Sequence, residues 1–232
     1  MKRVGRSIRT LSSRYFGTER GLSAMLTFLV LALFVGAPLV AMGLAGPFLF
    51  DALFTLFLLS GVVAISNRRL LMSAILSVAA ATVVVRWAGY WLPGAAMGIG
   101  DDALTILTLS ILVVLVLIRV FREGPITRHR IQGAIAVYLL LGLIWVSAYK
   151  LIHQTIPGAF RFPEGELSAL RFKHGLVYFS FVTLTTVGYG DITPVHPLAR
   201  SLAIAEALVG QLYPAILIAR LVSMELASRP RK

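Results

Sequence analysis

Six apolar runs close to the length of a bilayer crossing dominate this chain: 22–44, 48–66, 70–91, 103–118, 131–152 and 198–222. A hydrocarbon core about 30 Å thick takes a helix of about 20 apolar residues, so each run reads as a membrane span. The fold class expected is therefore an all-α integral membrane protein with six transmembrane helices. Composition agrees, because charged residues make up 14% of the chain where soluble domains carry about 25%. So few charges could not cover a water-facing surface. The net charge of +12 would suggest nucleic acid in a soluble protein, but here the charges lie between spans, which excludes that partner. With no cysteine in the chain, disulfides and thiolate metal sites are excluded as well.

Basic residues set the orientation. With the amino terminus inside, the inner segments hold 16 of the 22 Lys and Arg, a clear positive-inside bias. Both termini are then cytoplasmic, the stretch 153–197 opens outward, and a bacterial inner membrane is the expected location. The first run is too long for a signal-peptide core, about 7–15 residues, and reads as a retained span. Ahead of it, residues 1–21 form a basic segment in which Val4, Ile8, Leu11 and Tyr15 follow helical spacing while Arg residues take the other faces. That pattern suits either a helix lying on anionic lipid or a solvated tail.

Between the fifth and sixth runs stand Thr185, Thr186, Val187, Gly188, Tyr189, Gly190 and Asp191. Preceded by an apolar helix at about 173–184 and flanked by two spans, this T-T-V-G-Y-G-D segment closely resembles the selectivity filter of the tetrameric potassium channel family. The physics is general: a cation crossing lipid needs its water shell replaced, and rings of backbone carbonyls do this for K⁺. Gly188 and Gly190 lack a Cβ and so admit the backbone conformations that such a ring requires. The resemblance implies that Thr186, Val187, Gly188 and Tyr189 hold the permeant K⁺ ions, with Gly190 completing the filter and Asp191 at the outer mouth. It implies a pore helix over 173–184 whose aromatics pack around the filter as a cuff, and support from Thr185, Tyr178 and Val182. Val182 stands where some relatives carry a Glu that props the Asp, so Tyr178 is the expected substitute. One chain holds one such loop, whereas a filter needs four, which implies a homotetramer.

A second Gly-rich stretch, Met97–Asp101, lacks the Thr pair and follows Pro93 and Gly94, so an outward-facing turn is expected there. In the last span Gly210 matches the family's hinge glycine, and Pro214 one turn later should bend the helix; these two are gating candidates or packing devices. Glu206 is an ionisable group inside a span, one turn before Gly210. It reads either as hydrogen-bonded to the pore helix or as lining a cavity.

The fourth run carries no basic residue between 103 and 118, whereas voltage sensors carry about 3–4 gating charges per subunit. Arg86, near the outer end of the third run, is expected to snorkel. The organisation expected is thus a basic segment (1–21), a four-helix domain without gating charges (22–118), a linker (119–130), a pore domain (131–222) and a tail (223–232). Such a tail is too short for a cytosolic regulatory domain. No catalytic motif and no cofactor site is evident, and K⁺ is the permeant ligand. Two other classes fit less well: a subunit of a potassium uptake transporter, which would need several such loops, and a noncatalytic scaffold or modulator, which would pass no ions.

Overall fold

The structure, a computed structural model, describes residues 21–65, 69–92, 94–122, 127–163 and 169–228. The basic segment 1–20, with its lipid-surface reading, lies outside the described residues. Seven helices follow in order: α1 (Gly21–Ala41), α2 (Phe48–Ile65), α3 (Arg69–Ala88), α4 (Ala95–Val120), α5 (Arg128–Thr155), α6 (Ala169–Leu184) and α7 (Pro197–Ser228). Two short strands, β1 (Phe160–Arg161) and β2 (Thr193–Pro194), pair antiparallel and clasp the segments entering α6 and leaving the loop after it.

Among the described residues four helices are by themselves long and apolar enough to cross a membrane: α1, α4, α5 and α7. The apolar parts of α2 and α3, Phe48–Gly61 and Ile75–Ala88, are shorter. The chain is thus a multi-pass, helical membrane protein. Within α1 the segment Ala32–Gly36 is a π turn, and Ala37 donates its N–H to Ala32 O, five residues back. Pro38 follows. Its ring would clash with a carbonyl in a regular α turn, and the wider π turn relieves that.

One apolar cluster runs through the bundle, joining Met25 and Leu29 of α1, Phe57 and Leu58 of α2, Leu112 and Val116 of α4, and Val137 and Leu140 of α5. Lipid tails are as apolar as leucine, so hydrophobicity alone does not drive these helices together. Close approach at small residues does. A Cβ on Gly133 of α5 would lie 3.2 Å from Val120 and 3.3 Å from Val116 of α4, and one on Gly142 would meet the Phe181 ring at 2.7 Å.

Two expectations are corrected here. Met97–Asp101 is not a turn but the opening of α4, which starts at Ala95 directly after Gly94. Gly98 lies close to the Gln154 side chain of α5, where a Cβ would fall 2.9 Å from its oxygen. Arg86 does not snorkel. Its side chain is 8% exposed and pairs with Asp51 of α2 at 3.3 Å and Asp101 of α4 at 3.2 Å. It also donates to Thr105 at 3.1 Å and lies over the Phe54 ring, 4.2 Å from its centre. Tyr90 donates to the other Asp51 oxygen. Beside this network Lys150 pairs with Asp102 at 3.6 Å, and Gln154 donates to Asp102 at 2.7 Å, fastening α4 to α5. A charged guanidinium at this depth is held because two carboxylates offset its desolvation, not because it reaches water.

Candidate ion-conduction site

Helix α6 ends at Leu184, and the loop that follows folds back on its last turn. Thr185 N–H donates to Phe181 O (3.0 Å) and Thr186 N–H to Thr183 O (2.9 Å). Val187 and Gly188 both donate to Val182 O, at 3.0 and 3.3 Å. Val182 therefore supports the loop through its backbone carbonyl, a role that its side chain does not advertise.

Beyond this anchor the backbone alternates. Thr186, Gly188 and Gly190 have φ of 59°, 58° and 81°, whereas Val187 and Tyr189 do not have positive φ. A β-branched residue in the left-handed region is an outlier that surrounding structure must impose. Reversing the sign of φ at every second residue turns successive peptide planes the same way, so that carbonyls can line one side of a ribbon. Val187 and Tyr189 are 53% and 72% exposed.

The Tyr178 hydroxyl lies close enough to Asp191 to interact with it, and its ring stacks on Tyr189, 6.4 Å between centres with the planes 3° apart. Asp191 also accepts the N–H of Ile192 at 3.0 Å. Within one chain, Tyr178 is the α6 aromatic that stacks on Tyr189. Phe179 packs the other way, edge-on to Tyr149 (5.1 Å) and Phe160 (5.6 Å), and Phe181 packs on Gly142. Tyr178→Phe should keep the ring stack and lose the hydroxyl's interaction with Asp191, lowering stability by about 1 kcal/mol. A thermal unfolding midpoint equal to wild type would refute that support.

Helix α7 crosses behind the loop. Gly210 sits so close to Leu184 that a Cβ there would overlap the Leu184 carbonyl oxygen, and Tyr138 of α5 donates to the same oxygen at 3.2 Å. Gly210 is thus a seat for the end of α6. One turn earlier, Glu206 is fully buried against Ser180 of α6 (2.5 Å) and Tyr149 of α5 (2.5 Å), so it faces α6. Helix α7 continues unbroken through Pro214. The neighbouring Tyr213 donates to Ala134 O of α5 at 2.7 Å and stacks on Tyr138. Ser180, Tyr149, Tyr138 and Tyr213 escape sequence reading, because hydroxyls scattered in apolar helices look like packing. Only the convergence of Ser180 and Tyr149 on Glu206, of Tyr138 on Leu184 O and of Tyr213 on Ala134 O marks them. Among the described residues no group of three His, Asp or Glu side chains could hold a metal ion.

Residues 134–226, which hold all of these groups, match the ion channel family. A stretch of 86 residues is 35% identical to the two pore potassium channel c of Oryza sativa subsp. japonica, covering 37% of this chain and 17% of that protein. This region of the chain is similar to potassium channels. A shorter stretch of 46 residues is 52% identical to the protein LctB of Bacillus caldotenax and to that of Geobacillus stearothermophilus, covering 20% of this chain and 34% of each. The chain therefore spans about a third or less of the length of these curated relatives. No solved structure matches it significantly. Within the family match, the Gly210 seat and the Thr186–Gly190 ribbon lie on the same three-helix frame of α5, α6 and α7.

Proposed function

We propose that the protein is a subunit of a potassium-selective channel in which four copies place Thr186, Val187, Gly188, Tyr189 and Gly190 around one axis. K⁺ then passes down its gradient without catalysis. The observation that carries this reading is the alternating backbone of Thr186–Gly190, a conformation suited to presenting carbonyls in place of water. In this reading α6 is the pore helix, α5 and α7 the outer and inner helices, and Asp191 marks the outer mouth. Exposure of Val187 and Tyr189, together with Leu208, Leu212 and Ile216 along α7, supplies a surface for neighbouring copies. All six apolar runs span the membrane, with both termini cytoplasmic, and the amino-terminal basic segment faces anionic lipid.

The four-helix domain is not a voltage sensor in this proposal. Arg86 is held by fixed partners, and α4 carries Asp101 and Asp102 with Arg119 at its far end. Purified protein in planar bilayers between K⁺ and Na⁺ solutions should show a reversal potential set by K⁺ and an open probability nearly flat in voltage. Coinciding K⁺ and Na⁺ reversal potentials would remove the selectivity, and steep opening on depolarisation would remove the voltage independence.

A further inference from the structure

The hydrogen bonds behind the loop do not balance if Glu206 is ionised. Tyr149 Oη lies 2.5 Å from Glu206 Oε2. Ser180 Oγ lies 2.5 Å from Glu206 Oε1 and 2.9 Å from Gly142 O. Each hydroxyl owns one hydrogen, so two hydrogens face three contacts. Glu206, Ser180 and Tyr149 are all fully buried, which leaves no water to make up the difference.

We infer that the third hydrogen sits on Glu206, making it a neutral carboxylic acid that clasps three helices. Its Oε1–H donates to Ser180 Oγ of α6, Ser180 donates to Gly142 O of α5, and Oε2 accepts from Tyr149 of α5. Every hydrogen is then used once and every buried acceptor is met. The surroundings agree. The groups around Glu206 on α5 are the phenols Tyr149 and Tyr138, the contact on α6 is Ser180, and no ion pair among the described residues involves it. A lone carboxylate in such a site is strongly disfavoured. Lying one turn before Gly210, the clasp fixes the register in which α7 seats the end of α6. Glu206 is therefore a positioning residue for the loop. The proton assignment stands independently of the channel reading, whereas the positioning role rests on it.

Infrared spectra of the full chain in lipid nanodiscs, unlabelled and with ¹³C-carboxyl glutamate, test the assignment on wild-type protein. The expected result at neutral pH is a protonated-carboxyl C=O band that shifts down on labelling and disappears in Glu206→Gln. Absence of a label-sensitive band in folded protein overturns the proposal. Glutamine repeats the neutral acid, with an N–H for Ser180 and a carbonyl for Tyr149. Glu206→Gln should therefore keep the wild-type unfolding midpoint and K⁺ flux, while Glu206→Ala lowers both. A Gln variant as damaged as the Ala variant also overturns it, whether or not the protein conducts K⁺.

Discussion

Gly210→Ala is expected to abolish the folded assembly proposed above rather than to retune it. The added methyl would overlap the Leu184 carbonyl oxygen, and that oxygen belongs to backbone, so no side-chain rotamer can swing aside. Overpacking of an ordinary core costs about 1–3 kcal/mol, relieved by small shifts of neighbours. Here relief would require α7 to move away from the last turn of α6, the turn on which Thr185–Gly188 are hydrogen-bonded. It would also pull Leu184 O from Tyr138 and open the Glu206 contacts with Ser180 and Tyr149. The expected outcome is loss of the assembled species by native mass spectrometry, with no K⁺ flux from what remains. An alanine variant that assembles and conducts with a changed open probability would return Gly210 to the role of a hinge.

The second large effect lies in the four-helix domain. Arg86→Leu keeps an apolar stem over Phe54 but strands Asp51 and Asp101 without their counter-charge. Removing one partner of a buried ion pair costs about 3–5 kcal/mol, because the remaining charge stays in a poorly solvating site. The unfolding midpoint should fall steeply at neutral pH. It should recover in the triple variant with Asp51→Asn and Asp101→Asn, where no charge is left uncompensated. A single variant as stable as wild type would mean that the network adds nothing to the fold. An unrecovered triple variant would assign the loss to packing instead.

Not all of the site was equally legible from residues. The T-T-V-G-Y-G-D segment stood out because its chemistry is local: glycines at alternate positions announce an unusual backbone, and Gly188 and Gly190 have positive φ as that pattern requires. Thr186 shares the conformation without announcing it. A β-branched residue is forced there by the anchors at Thr183 and Val182, which lie across a helix end. The second Gly-rich stretch, Met97–Asp101, reads as a turn for the complementary reason. Two glycines after Pro93 resemble a turn, yet the pairing of Asp101 with Arg86 and the bond from Gln154 to Asp102 hold that stretch as helix. Arg86 itself reads as an interfacial cation until the folded chain brings Asp51 and Asp101 to it from elements 35 and 15 residues away.

Length and periodicity of apolar runs, the sign of flanking charges and one short glycine-bearing motif are properties of contiguous residues, and from them the chain determined its helical membrane character and the location of its loop. Which small residue bears a helix contact, and which buried acid meets which hydroxyl, depended on segments up to 57 residues apart in sequence meeting within hydrogen-bond reach. Hydrogen-bond satisfaction in a medium without water is settled between helices, so only the tertiary structure could place Gly210 against the Leu184 carbonyl and choose, of the two readings of Glu206, the one that bonds it to the helix before the loop.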